Sequence, residues 1–409
     1  MYKFILAAFI LLIYLIILYK KKGSFIYPST LVVGLYFISA ALSYPHIIVN
    51  DQTLSLNDEY FSSIFIFIIL LFAFIYPFCS FKEHKIERII IPGANLLRIT
   101  AITIVLLSFI SIIVLLPAAI RTFSYVNLSD ARELGRQIED GGLLVTIAST
   151  SSYLYSIAII LYFIYRAKGT NKVLANLLII SSLSYVIHVF TYAGRDGVVF
   201  WFFSFLASFG FFKKFLPEKD TKIEKVVLSL FIIIALPFFW AITRDRFSDN
   251  PFAGILSYIG QPLPNFALFY DADYPVSNGA SFPLFRRIFG LEPIVNETVF
   301  YGGTNSYVFG TFLKSFITNV DIFVTLLIGT FMGLFFVRNF NRRNKSNFYF
   351  YQFFIYFLYF QIFSQGVFYF RLYSIAGNFF VILSFLLFYA FKISMKSENV
   401  SELVIDKCR

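Results

Sequence analysis

Apolar runs long enough to cross a bilayer recur from one end of this 409-residue chain to the other. A bilayer core about 30 Å thick needs roughly 20 apolar residues at 1.5 Å per residue. Backbone donors and acceptors in lipid must bond within their own segment, so such runs read as helices. The sequence predicts about eleven transmembrane helices: 4–19, 25–43, 60–80, 99–119, 143–165, 173–192, 198–212, 226–242, 316–337, 348–366 and 372–391. Composition agrees, with 58% hydrophobic and 14% charged residues, where soluble domains run about 45–50% and 25%. The expected fold is an all-α, polytopic integral membrane protein forming a single membrane domain over 1–409. The first run lacks a small-x-small cleavage site and is followed by Lys20-Lys21-Lys22, so it reads as a retained helix rather than a secretory signal.

Charge sorts the connections into two alternating sets. One holds Lys20–Lys22, Lys82, Lys85, Arg88 and Arg98, then Arg166, Lys168 and Lys172, then Lys213, Lys214, Lys219, Lys222 and Lys225, then Arg338, Arg342, Arg343, Lys345 and the C-terminal tail. The other holds only Lys3, Arg121, Arg132, Arg136, Arg195, Arg244, Arg246, Arg286, Arg287, Lys314 and Arg371. The positive-inside rule makes the first set cytoplasmic, the N-terminus external and the C-terminus internal. The net charge of +11 is then explained by lysines at cytoplasmic helix ends, and no nucleic-acid partner is expected. Cys79 and Cys408 both fall on the cytoplasmic side, where free thiols are expected.

The external set is nearly all arginine, with only Lys3 and Lys314 as exceptions. Topology needs charge alone, and lysine supplies it equally well. Planar, bidentate recognition of phosphate favours arginine. The pattern points to an external phosphate or pyrophosphate site.

The one long polar interval, 244–314, reads as a large external loop. It opens with Arg244-Asp245-Arg246, carries Arg286-Arg287, and is studded with Tyr258, Phe269, Tyr270, Tyr274, Phe282, Phe285 and Tyr301. Basic groups among aromatic rings suit a ligand that is part anionic and part sugar. Arg244 and Arg246 follow directly on an apolar run and emerge at headgroup level, with Asp245 between them; Arg371 begins the last run at the same depth.

Between the sixth and seventh runs, Tyr192-Ala193-Gly194-Arg195-Asp196-Gly197 makes a tight charged turn. It places Arg195 at the membrane boundary and Asp196 as N-cap of the next helix. His188 is seven residues earlier, about two turns along the same face; an intramembrane histidine is often functional. Arg132 and Arg136 share one face of a short surface helix between Ser129 and Gly141-Gly142. Asp271-x-Asp273 and Asp58-Glu59 are acidic pairs in turn-rich surroundings, and no metal or other cofactor is expected at them. No phosphate-binding glycine loop, HExxH or GxSxG is present, so nucleotide hydrolysis and zinc or serine chemistry are unsupported.

In this layout the chain resembles the bacterial Wzy-type O-antigen and capsule repeat-unit polymerases. The resemblance rests on Gly194-Arg195-Asp196, Arg244, Tyr258-Ile259-Gly260-Gln261-Pro262-Leu263, Asn305-Ser306-Tyr307, Asn319-Val320-Asp321 and Gly329, over roughly residues 120–380. It implies a GT-C-like membrane glycosyltransferase of the bacterial cytoplasmic (inner) membrane, active on its extracytoplasmic face. Such an enzyme transfers a growing glycan from its undecaprenyl pyrophosphate carrier to a new lipid-linked repeat unit. The resemblance makes Arg195, Arg244 and Arg246, and with them Arg132, carrier-phosphate ligands; Arg136, Arg371, Tyr258, Asn305 and Tyr307 complete the expected substrate site. It allows a chain-length regulator protein as partner, beside membrane lipid. Asp196, Asp245 and His188 are the positions from which a base could act on the acceptor hydroxyl. Two alternatives remain: an O-antigen ligase, which would share the arginines, and a lipid-linked oligosaccharide flippase. A flippase calls for polar groups within the spans, whereas these spans read as almost wholly apolar apart from His188.

Overall fold

The computed structural model describes residues 2–49, 61–124, 142–246, 250–271, 279–292, 310–340, 346–395 and 403–407. In chain order the helices are α1 (Tyr2–Lys22), α2 (Pro28–Val49), α3 (Phe61–Ser80), α4 (Ala94–Ser124), α5 (Leu143–Ser152), α6 (Tyr155–Lys168), α7 (Lys172–Ser181), α8 (Ser184–Phe190), α9 (Asp196–Phe212), α10 (Glu218–Arg246), α11 (Pro251–Gly260), α12 (Pro262–Asp271), α13 (Pro283–Ile288), α14 (Phe312–Phe340), α15 (Phe350–Gln365) and α16 (Ile375–Ser394). Among the described residues, eight stretches are long and apolar enough to cross a membrane, with α7 and α8 counted together; α5 and α6, bent by 46°, make a ninth. The protein is a multi-pass helical membrane protein. The two further runs of the sequence reading are α10 and α15, the latter with 16 residues and so about 24 Å long.

Among the described residues, three short strands accompany the helices. Strands β1 (Arg88–Ile91), β2 (Asn347–Tyr349) and β3 (Leu403–Asp406) form a small sheet in the order β2-β1-β3. β1 runs parallel to β2 and antiparallel to β3, with Arg88 opposite both Asn347 and Asp406. Isoleucines 89–91 bury the β-branched side chains that favour this geometry.

The chain forms two compact units: Met1–His84 with Phe247–Lys345 and Tyr359–Asn378, and Lys85–Arg246 with Ser346–Leu358 and Phe379–Arg409. In the first unit α1 packs on α2, α2 on α11, and α3 on α14, while α12 touches α2, α3 and α14. Much of the polar interval 244–314 is therefore helical and packed. Gly260 shows why α11 can sit so close: a Cβ there would collide with the Leu42 carbonyl oxygen of α2. One residue earlier, the Ile259 carbonyl accepts from Ser39 Oγ at 2.8 Å.

Lys22 is not simply a solvated topology signal. Its ammonium meets the Glu83 carboxylate at 2.5 Å, with both side chains buried, and also donates to Ser29 Oγ. Glu83 Oε1 accepts from the Ser29 amide at 3.4 Å, in the first turn of α2 where a negative charge is favoured.

α14 is two helices. Asp321 has φ 67° and ψ 178°, and its carboxylate caps the second half by accepting from the Phe323 and Val324 amides at 2.5 and 3.2 Å. The Phe74 ring of α3 lies 5.1 Å from Phe312 and 5.7 Å from Phe316. The same ring would be 2.7 Å from a Cβ on Gly329. A straight helix would hold Phe316 and Gly329 about 20 Å apart, so the break at Asp321 folds 312–320 back beside 322–340. The second half alone rises about 28 Å, enough for a bilayer core.

In the second unit α4 packs on α5 and α8, and α6 on α7 and α9. Two spans are broken, at Tyr153-Leu154 and at Ser182-Leu183. Tyr155 and Tyr185 stack with centroids 4.4 Å apart, and Trp201 Nε1 donates to Ser182 Oγ at 2.8 Å. Arg166 bridges Asp220 at 2.8 Å and Glu224 at 3.2 Å, and Tyr162 donates to Glu224 at 2.6 Å. Burial pushes the Glu224 carboxyl above its ordinary pKa, while Tyr162 and Arg166 pull it back.

The polar ties in each unit respect the charge-based grouping of the connections. Lys22 with Glu83, Arg166 with Asp220, and the three strands join lysine-bearing segments. Thr122 with Thr191, and Arg195 with Thr243, join arginine-bearing ones.

Candidate functional site

The turn between α8 and α9 is built by its glycines. Ala193 takes a left-handed φ of 54°, reversing the chain after α8. A Cβ on Gly194 would lie 2.5 Å from Val189 Cγ1, and one on Gly197 2.7 Å from Val189 Cβ. Only hydrogen at these positions lets the turn close over Val189. Arg195, not Asp196, occupies the N-cap position, and Asp196 is the first helical residue. Asp196 there complements the positive end of the α9 dipole.

Arg195 is buried, at 8% exposure. Its Nη1 donates to Thr243 Oγ1 at 2.5 Å, and its guanidinium carbon lies 5.2 Å from the centre of the Phe239 ring. Thr243 Oγ1 donates to the Phe239 carbonyl at 2.7 Å, one turn back in α10. Arg195 is thereby fixed against the end of α10, where Thr243 is buried and the next residue, Arg244, is exposed. Asp245 and Arg246 complete α10, and their side chains lie outside the described residues.

His188 does not continue a shared helical face to Arg195, because the chain leaves the helix at Thr191. Its Nδ1 lies 2.8 Å from Ser152 Oγ at the α5–α6 break, and the rings of Tyr153, Tyr185 and Tyr192 surround it at 6.1, 6.5 and 6.1 Å. At 4% exposure it is an interior group that joins two broken spans. That arrangement does not suit a base acting at the boundary.

The first unit holds a second polar cluster. Asn319, at the end of the folded-back helix, accepts from the Gly279 amide at its carbonyl (3.1 Å) and from the Ser281 amide at Oδ1 (2.7 Å), and donates from Nδ2 to Ser281 Oγ at 2.9 Å. Asn378 donates from Nδ2 to the Leu372 carbonyl at 2.6 Å and accepts from the Leu284 amide at 3.3 Å. Asn319 ties 279–281 to the folded-back helix, and Asn378 ties 281–284 to 372–378, bringing the segment beginning at Arg371 alongside α13, which carries Arg286 and Arg287. Arg371 is buried, with its guanidinium 5.6 Å from the Tyr369 ring centre. Tyr258 is half-buried on α11.

Arg132, Arg136, Asn305, Tyr307, Asp58, Glu59, Asp273 and Cys408 lie outside the described residues, as does the Asp271 side chain. Cys79 is a free, buried thiol. Among the described residues no three His, Cys, Asp or Glu side chains converge.

Several polar residues escaped the sequence reading. Besides His188, the runs read from the sequence bury Asn319 and Asn378, and the helices extend beyond those runs to include Lys314 in α14 and His46 in α2, all buried. Thr243 could have been suspected from its place beside Arg244, and Lys314 from being an external lysine among arginines. The partners of neither were visible in the chain. No protein-family model, curated protein or solved structure matches this sequence.

Proposed function

We propose that this protein is a membrane glycosyltransferase that polymerises lipid-linked repeat units, working at the arginine-bearing ends of its helices on the extracytoplasmic face of a bacterial cytoplasmic membrane. The observation that carries this reading is Arg195, buried and held by a hydroxyl and an aromatic face immediately beside Arg244. Guanidinium groups at a membrane boundary suit the pyrophosphate of a prenyl carrier, which lies at the same depth. A fixed guanidinium is the form that stabilises charge developing on a departing pyrophosphate, because nothing has to reorganise during the reaction.

In the proposed reaction an acceptor hydroxyl of a new lipid-linked repeat attacks the anomeric carbon of the growing chain. The anomeric carbon–oxygen bond to the carrier breaks, and its electron pair leaves with undecaprenyl pyrophosphate. The hydroxyl proton passes to a carboxylate, and the displacement inverts the anomeric centre without a metal. Asp196, half-buried beside Arg195, is the base this reading favours over His188; Asp245 is the other carboxylate in that stretch of chain.

One observation favours transport as a second reading. Discontinuous helices carrying buried polar groups, as in α5–α6 and α14, are how transporters build binding sites within a membrane. Purified protein in liposomes, given only lipid-linked repeat units, tests both. Polymer appearing without added nucleotide sugar supports the transferase, and translocation without polymer supports transport. Neither product would reject the proposal.

A further inference from the structure

Residues 283–292 make a closed turn that carries its apolar side chains outward. α13 runs into Gly290, which takes a left-handed φ of 69°. The Gly290 amide donates to the Arg287 carbonyl at 3.1 Å, and the Leu291 amide to the Arg286 carbonyl at 2.9 Å. This crossed pair of bonds is a Schellman cap, in which the residue after the glycine ordinarily packs back on the last turn of the helix. Leu291 holds that position, yet it is 50% exposed, and Ile288 and Phe289 are 60% and 75% exposed. Arg286 closes the turn, its Nε donating to the Glu292 carbonyl at 2.9 Å. Three large apolar side chains are thus displayed on a backbone that is bonded within its own segment, inside the interval whose sequence reads as polar.

The turn stands at the level where a membrane span begins. Leu284, the second residue of α13, donates its amide to Asn378 Oδ1 at 3.3 Å. Asn378 lies in the first turn of α16, one of the stretches apolar and long enough to cross a bilayer, and its Nδ2 reaches back to the Ser281 carbonyl at 3.4 Å. Tyr373, just ahead of that span, is 43% exposed, as suits a tyrosine of the interfacial belt. From Leu284 to Ile288 the helix advances only about 6 Å. Ile288, Phe289 and Leu291 therefore stay close to the level at which α16 starts, and Arg287 beside them is exposed as well.

Adjacent apolar side chains of this size are unfavourable in water and favourable among acyl chains. Arg286 and Arg287 against the single acid Glu292 leave the turn cationic, and guanidinium groups suit the phosphates that lie just outside those chains. We infer that the α13 turn is a membrane anchor: Ile288, Phe289 and Leu291 enter the phospholipid leaflet beside the start of α16, with Arg287 at the headgroup phosphates. Amphipathic segments with aromatic and aliphatic groups on one side and arginine on the other lie in that boundary. Lipid is the occupant that both the level of the turn and its charge select. The inference stands apart from the transferase reading, since it needs no substrate and no chemistry at Arg195.

The test measures immersion depth by nitroxide labelling of the full-length protein in nanodiscs of phosphatidylethanolamine and phosphatidylglycerol. Cys408→Ser is the parent, with the buried Cys79 left in place, and its own signal is the background. A label at Phe289→Cys should be reached by oxygen in preference to a water-soluble nickel complex, at a depth of about 5–10 Å. Arg287→Cys should report a shallower position. Phe331→Cys on the exposed face of α14 gives the acyl-chain reference, and Lys222→Cys, whose side chain is 73% exposed, gives the aqueous one. A label at Leu291→Cys should also lie in the leaflet, and adding Phe289→Asp should move it to the aqueous value, which shows that the native side chains drive entry. Aqueous accessibility at Phe289→Cys overturns the inference, and so does a Leu291→Cys label that Phe289→Asp leaves at its original depth. Spin–spin broadening between labels on separate copies, with no lipid depth, identifies a second copy as the occupant and overturns it too. All labelled positions are exposed, so each variant is expected to fold.

Discussion

Arg195 and Thr243 are 48 residues apart in sequence, and a 2.5 Å hydrogen bond joins the guanidinium of one to the hydroxyl of the other. The threonine hydroxyl donates its own proton to the Phe239 carbonyl, so its lone pair is left pointing at the arginine. This is a device for holding a cation still. If Arg195 meets the carrier pyrophosphate, Thr243→Val should lower polymer formation about tenfold at unchanged protein level. Thr243→Ser should restore it, and Arg195→Lys should be at least as defective as Thr243→Val, because an ammonium lacks the planar fork. Polymer length on gels is the readout, and equal activity in the Val and Ser variants would remove the positioning role.

Two buried carboxylates should respond unequally to loss of charge. Glu83 is the buried carboxylate bridged to Lys22, and Glu83→Gln strands that ammonium, costing about 3–5 kcal/mol. Replacing both residues with methionine should recover most of the loss. Glu224 is already disfavoured in its charged form by burial, and Arg166 keeps Asp220 at 2.8 Å without it. Glu224→Gln should therefore cost less than about 1 kcal/mol. Thermal unfolding of the purified variants ranks them, and the reverse order would contradict this account.

Asp321 combines a backbone conformation that suits glycine with a side chain that caps a helix. Asp321→Gly relieves the first and removes the second, two effects of about 1 kcal/mol each, so its unfolding midpoint should stay near wild type. Asp321→Val keeps the strain and loses the cap, and should cost about 2 kcal/mol or more. Equal midpoints for the two variants would show that the reversal at this residue is held by other contacts.

Gly194→Ala places a methyl group against Val189 and Tyr192. Overpacking of this kind costs about 1–3 kcal/mol, and the turn that carries Arg195 must shift to accommodate it. Polymer formation should fall while the protein remains folded and inserted. Wild-type polymer from Gly194→Ala would mean that the turn tolerates displacement without moving Arg195.

Much of the architecture was legible in the chain. Crossing lipid is a local demand, met by about 20 consecutive apolar residues, so α1 to α4 were visible in outline without knowledge of their neighbours. The grouping of connections was equally legible, since topology responds to charge counted loop by loop. The three strands and the Thr122–Thr191 tie later joined segments of the same set.

The candidate site was legible only as a list of residue types. Sequence placed Arg195, Arg244 and Arg371 at helix ends, but did not reveal the threonine that orients the first. It read the interval 244–314 as a loop because polarity is averaged along the chain, whereas α11 and α12 are held by packing against α2 and α3.

What the sequence alone determined is that the chain lives in a membrane and which of its charges are arginine. These follow from transfer energies that each residue carries with it. Tertiary structure decided which charges are spent on each other, as with Lys22 and Glu83, and where α14 turns back on itself. Hydrogen bonds and ring contacts act over a few ångströms in space between residues far apart in sequence, and no window along the chain contains both partners.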